Sequence, residues 1–358
     1  MTSQLTGPQI TSALEAGIIS RDQAASMRAE LQSKKTTANV RQNDLPNQST
    51  IGHEDNMRFL RSFSDVFIAI GLILLALGVL GLTHLLGGGV LFIGAAGLMW
   101  VGAEYFGRKK RAHLPSLIIA LSFLMFSQRG FAALLGGGGS LAALVTLGVM
   151  ALFYWRVRLP FCIALIAASA LFLLFSLLAQ FAPSLTKNNL GVILGLSGLV
   201  IFSAALAYDT NDQHRTTRFA DNAFWLHFLA APLIIHGMAI TGVALKTDKL
   251  FGIVPIFSLD SFDAIIVLLI ISFLTLIGLA INRRALIVSA LGYTGFAITS
   301  LFMAAGTGVG TSLIFTLIIL GGVIVFLGVG WHEARKLMLA ILPKWRIFPP
   351  PFDPNFKA

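Results

Sequence analysis

Ten runs of mostly apolar residues follow one another between residues 63 and 331, and this succession constrains the fold more than any other feature. They lie near 63–83, 87–106, 115–135, 138–155, 159–182, 189–208, 222–244, 262–281, 285–304 and 311–331. Wound as an α-helix at about 1.5 Å per residue, each run matches a hydrocarbon core about 30 Å thick. In lipid the backbone must satisfy its own hydrogen bonds, so a run of this length crosses as a helix. Composition agrees. Of 358 residues, 56% are hydrophobic and 12% charged, whereas a soluble domain carries about 25% charged residues. The expected fold class is all-α: a polytopic transmembrane helix bundle of about ten spans, with residues 57–331 as the membrane domain and the lipid bilayer as its solvent.

The loops orient this bundle. Of 26 Lys and Arg, 22 fall in segments that alternate onto one side: the N-terminal segment, 107–112, 156–158, 209–220, 282–284 and the C-terminal tail. Lys187, Lys246 and Lys249 fall on the other side, and Arg129 lies within a span. The positive-inside rule then places both termini in the cytoplasm. The same pattern explains the net charge of +10 without a nucleic-acid partner, because the cations sit in short clusters between apolar runs. The third run is interrupted by Gln128 and Arg129. It either crosses fully or is re-entrant, and the charge alternation favours crossing. No cleavable leader is legible in the polar first 60 residues, so the first span is expected to serve as the targeting signal.

Outside the membrane domain, residues 1–32 read as a small cytoplasmic helical hairpin. Thr6–Gln9 and Ser20–Gln23 are capping boxes, and Gly17 suits the end of the first helix. Two such short helices are too small to be stable alone. They dock on the membrane domain, a second copy or a protein partner, or form an ordered tail without separate function. Residues 33–56 are polar and aperiodic, a flexible linker. Residues 332–358 place cations among apolar residues, as an interfacial tail at the cytoplasmic membrane surface does.

Part of the bundle is built from repeated helical hairpins. Leu85-Leu86-Gly87-Gly88-Gly89 recurs as Leu134-Leu135-Gly136-Gly137-Gly138. In both copies an apolar span follows, then an aromatic pair (Tyr105-Phe106, Tyr154-Trp155), a basic turn and Leu-Pro (Leu114-Pro115, Leu159-Pro160). The second basic turn is shorter. A looser third copy runs from Gly306 to Pro343. Glu104 has Phe153 near its place in the second copy, so the fold is not expected to need an acid there.

Ionisable residues within a span are costly and are functional candidates by default. Four qualify. Helical rise places Arg129 and His236 in an outer layer, and Glu104 and His227 in an inner one. Stacked His and carboxylate layers would suit a proton or anion path. The plainer alternatives are an Arg129 that snorkels outward, a Glu104 that meets cytoplasmic water beside Arg108, and histidines hydrogen-bonded in the interior. His227 and His236 are nine residues apart, so they leave opposite faces of one helix and cannot share a metal. Pro232 between them is a candidate kink. No catalytic, cofactor-binding or metal-ligating motif is present, and the single cysteine, Cys162, lies in an apolar run as a small filler.

The hairpin ALEAGIISRDQAASMRAEL, the linker and the spans, together with FWLHFLAAPLIIH at Phe224–His236, resemble a bacterial family of predicted multi-pass membrane proteins of unknown function. Members of that family begin with a similar cytoplasmic hairpin. The resemblance implies a bacterial cytoplasmic (inner) membrane and carries no activity or site residues. Three readings follow: transport or permeation of a small solute or ion, a non-enzymatic scaffold or accessory protein recruiting a partner through residues 1–32, and an enzyme on lipid-linked substrates. Short, acid-poor outer loops disfavour the third.

Overall fold

The structure is a computed structural model that describes residues 12, 15–18, 20–27, 63–86, 88–136, 139–212, 217–242, 246–250, 254–258 and 261–342. The capping box at Thr6, the linker 33–56 and the tail beyond residue 342 lie outside these. The chain divides into two compact units, Met1–Glu54 with Phe352–Ala358, and Asp55–Pro351.

In the first unit, the Ser20 capping box forms in both directions. The Ser20 backbone N–H donates to Gln23 Oε1 at 2.9 Å, and the Gln23 N–H donates to Ser20 Oγ at 3.2 Å. Two orphan donors of the helix start are thereby satisfied. Gly17 takes the left-handed conformation, φ 71°, which glycine enters without a Cβ clash. Ala24 is buried.

The second unit is the bundle. Its elements are α1 (Phe63–Leu86), α2 (Gly89–Gly102) continued by a π-helical turn (Ala103–Lys109), α3 (His113–Leu134), α4 (Gly139–Val157), α5 (Phe161–Phe181), a short α6 (Pro183–Asn188), α7 (Leu190–Asn211), α8 (Arg218–Gly242), β1 (Lys246–Leu250), β2 (Val254–Ser258), α9 (Ser261–Ala280), α10 (Ala285–Ala304) and α11 (Val309–Ile341). Ten of these helical segments are long and apolar enough to cross a membrane. The architecture is the all-α bundle the apolar runs call for. One addition is the antiparallel β1–β2 hairpin, in register Lys246 with Ser258 through Leu250 with Val254.

Helix α3 runs unbroken through Gln128 and Arg129, over the run read from the sequence. Two boundaries differ from the sequence reading. Helix α7 extends to Asn211, which brings Asp209 into the helix rather than the loop. Helix α11 passes Trp331 without a break and ends at Ile341, 33 residues in all. Polar residues cease to mark a boundary there because Trp331 and Arg335 are buried against the bundle.

The core has two centres. One joins α2–α5 through Met99, Ile119, Phe123, Met150, Phe153 and Cys162. The other joins α8–α10 through Ile235, Val267, Ile271, Leu274 and Ala290. A smaller cluster of Ile201, Ala205, Leu226 and Ala230, with Ile163 and Leu171 of α5 against it, couples α5 to the α7–α8 pair. Helices α7 and α8 approach most closely. A Cβ on Gly237 would lie 2.7 Å from the Gly191 carbonyl oxygen and also overlap the Gly195 backbone. Small residues permit this approach, and in lipid close van der Waals packing replaces hydrophobic exclusion as the driving force.

Helix ends at the basic face follow one rule. Arg111, Arg158 and Asn282 each take a left-handed φ, at 52°, 57° and 57°. At Asn282 the full Schellman pattern forms: the Arg283 N–H donates to the Gly278 carbonyl at 2.7 Å and the Asn282 N–H to the Leu279 carbonyl at 3.2 Å. Asparagine is the non-glycine residue best suited to that position. The turn sends residue 283 back toward the bundle.

Candidate functional site

The most deeply buried ionic group of the bundle lies where the ends of α7 and α9 meet α8. Asp209 is in the last turn of α7, His227 is in α8, and Arg283 follows the Schellman turn after α9. Their exposures are 9%, 0% and 1%. His227 Nε2 lies 2.8 Å from Asp209 Oδ2, where an ionised carboxylate accepts its proton. Arg283 Nε donates to Asp209 Oδ1 at 3.0 Å and Oδ2 at 3.1 Å, and its Nη2 also donates to Oδ1. Both carboxylate oxygens are thus engaged, by two residues, one in α8 and one in the turn after α9. The Phe202 ring covers His227 edge-on at 5.1 Å. Next to this group, Arg284 lies over the Trp331 ring at 5.2 Å and the Trp331 indole N–H donates to Asn282 Oδ1 at 2.9 Å, tying α11 to the same turn.

A second polar layer sits higher on α8. His236 Nδ1 lies 2.6 Å from the Tyr293 hydroxyl of α10 and 3.0 Å from the Pro232 carbonyl oxygen. One tautomer accepts the tyrosine proton at Nδ1; the other carries a proton there and donates it to the carbonyl. The two layers are nine residues apart on α8, about 14 Å of helical rise. Pro232 lies between them, and its missing N–H removes the usual helical donor to the Phe228 carbonyl.

The four residues singled out from the sequence are therefore not brought together. His227 and His236 stand in separate layers of α8 with different partners. Glu104 is at the basic end of the first half of the bundle, its side chain 30% exposed. Arg156 Nε donates to its Oε1 at 2.7 Å and Arg108 Nη1 to its Oε2 at 2.6 Å. Glu104 thereby joins the first repeat copy to the basic turn of the second. Arg129 is exposed on α3. Its neighbour Gly130 faces inward against Ile93. Five residues from the helix end, about 8 Å by rise, such a guanidinium snorkels to the headgroup region.

Three residues of the buried layers escaped the sequence reading. Arg283 counted as a loop cation marking orientation, yet it is among the least exposed side chains. Asp209 fell in a presumed loop, and Tyr293 carried no signal beyond being aromatic in a span. Asp209 did leave one trace: it directly follows an apolar run that ends in Tyr208, where a carboxylate needs a nearby cation. Among the described residues no group of three or more His, Cys, Asp and Glu is arranged to hold a metal ion. Cys162 is buried.

Fold and site together define a class, an integral membrane protein of the multi-pass helical type with a buried ion cluster. No family model, curated protein or solved structure matches the chain.

Proposed function

We propose that this membrane protein moves a small ion or solute in a proton-linked step, and that α8 carries the proton-handling groups. The observation behind this reading is the fully buried His227 on Asp209, in a helix that presents a second hydrogen-bonded histidine about 14 Å further along. Ionisable side chains are retained in a membrane span against a cost, chiefly where they serve a path or relay. In this reading His227 and His236 gain and release protons, Arg283 and His227 both bind the Asp209 carboxylate, and the Tyr293 hydroxyl is the hydrogen-bond partner that positions His236. The bacterial inner membrane and cytoplasmic termini belong to the same proposal, supported by the charge alternation and by the family resemblance.

The test is a pH jump across proteoliposomes that hold the full chain and an internal pH dye. Proton entry faster than in empty liposomes is expected, with His227→Gln and His236→Gln each slowing it at unchanged helix content. Entry no faster than in empty liposomes would sink the reading. A second reading, a non-enzymatic scaffold recruiting a partner through residues 1–32, is favoured by one observation. Both Asp209 oxygens are already engaged, as in a purely structural tie. It predicts that His227→Gln lowers thermal stability with no flux to lose, and that deleting residues 1–56 removes a co-purifying protein.

A further inference from the structure

The first half of the bundle carries a feature that the α8 reading does not use. A pocket of about 340 Å³ lies between α2, α3 and α4, walled by Ile93, Gly97, Trp100, Phe123, Phe131 and Val149, with Ser127 also on its wall. That volume is at the lower end for ligand pockets. Gly97 is exposed, and a Cβ there would meet nothing within 4 Å. The pocket therefore has open space on the outer surface of the bundle, where lipid is the solvent.

Its walls continue toward the basic end. Ile93, Gly97 and Trp100 follow one another at helical spacing along α2, Glu104 comes four residues on in the π-helical turn, and Val149 and Arg156 are two turns apart on one face of α4. The Glu104–Arg108–Arg156 cluster thus closes the basic end of the same furrow. On the pocket wall the Trp100 ring packs against the buried Phe123 and Phe153 rings, with centroids 4.5–5.6 Å apart among the three. Two guanidinium groups share one carboxylate, so the cluster keeps one net positive charge. Arg108 and Arg156 are 42% and 47% exposed. Each guanidinium has five N–H donors, and Glu104 takes only a minority of them.

We infer that this furrow binds one anionic phospholipid, with an acyl chain in the pocket and the phosphate on Arg108 and Arg156. The dimensions fit. Glu104 to Gly97 is seven residues, about 10 Å of rise, and the acyl region of one leaflet is about 15 Å, half of a core about 30 Å thick. A chain whose phosphate rests on the cluster therefore reaches the pocket. Apolar walls select a hydrocarbon occupant, and the net positive charge at one end selects an anionic headgroup.

The experiment reconstitutes the full chain with phosphatidylglycerol or phosphatidylcholine bearing a photoactivatable group near the end of one acyl chain, and maps the cross-links by mass spectrometry. With phosphatidylglycerol, labels are expected to concentrate on Ile93, Trp100 and Phe131 over the outward faces of α1 and α11, which report ordinary lipid contact. Gly97→Leu, whose Cβ has open space around it, places a side chain in the pocket and should lower the pocket labels several-fold and leave those on α1 and α11 unchanged. The double variant Arg108→Gln, Arg156→Gln should bring phosphatidylglycerol labelling down to the phosphatidylcholine level. Even labelling of all outward faces, pocket labels indifferent to Gly97→Leu, or equal labelling by both lipids in the unaltered chain would overturn the inference. Proton-flux results do not bear on it, since none of these residues lies on α8.

Discussion

Asp209 shows how much one carboxylate can carry in this protein. It is the meeting point of α7, α8 and the turn after α9, and its charge is tolerable there only because Arg283 and His227 both donate to it. Breaking a buried ion pair from one side strands a charge, at a cost of about 3–5 kcal/mol. Asp209→Leu and Arg283→Met are each expected to lower the unfolding midpoint in detergent strongly. The double variant Asp209→Leu, Arg283→Met should lose much less than the sum, because no charge is left alone; additive losses would show that the pair is not a unit. Glu104 is the contrasting case. Its two ion pairs are partly exposed, and exposed pairs are worth about 0–1 kcal/mol. Glu104→Gln should therefore shift the midpoint little, and a large shift would mean the link between repeat copies is stronger than its exposure implies. At this scale the sequence was half legible. That His227 is buried and His236 half-buried followed from their place in an apolar run, but their partners did not, since Arg283 is 74 residues from Asp209 in the chain.

The helices owe their ends to a few positions. Asn282 occupies the left-handed site of a Schellman turn and so decides where Arg283 points. Asn282→Gly keeps that conformation and is expected to keep the buried ion pair and the thermal midpoint. A β-branched residue resists positive φ, so Asn282→Val should unfold at markedly lower temperature; equal midpoints for the two variants would show that the turn does not position Arg283. The α7–α8 pair depends instead on close approach. Gly237→Leu has backbone in its way rather than a movable side chain, and it should abolish folding or separate the two helices, as read by helix content and detergent-resistant mobility. The repeat is visible here too. Gly89 and Gly139 open equivalent helices, and the longer basic turn of the first copy is accommodated by the π-helical turn at Ala103–Lys109, which α4 does not have.

Taken whole, the molecule is two helical cores joined by the packing of α5 on the α7–α8 pair, with one end of the bundle strongly basic. The charge alternation predicts that this end faces the cytoplasm. In a Cys162→Ala background, Ser184→Cys should react with a membrane-impermeant maleimide on intact cells, and Lys110→Cys only after permeabilisation. The reverse pattern would invert the bundle. The number of long apolar helices and the helical class were legible from residue order alone, because hydrophobic length and backbone satisfaction in lipid are local requirements that each run meets by itself. Which polar groups became sites was decided only in three dimensions. A loop cation became the buried partner of Asp209, an unremarked tyrosine met His236, and Arg129 and Glu104 left the inferred path for the surface. Lipid asks of a helix only that it be apolar and long enough, whereas a buried charge asks for a specific partner. That partner is supplied by helices brought side by side, however far apart they lie in the chain.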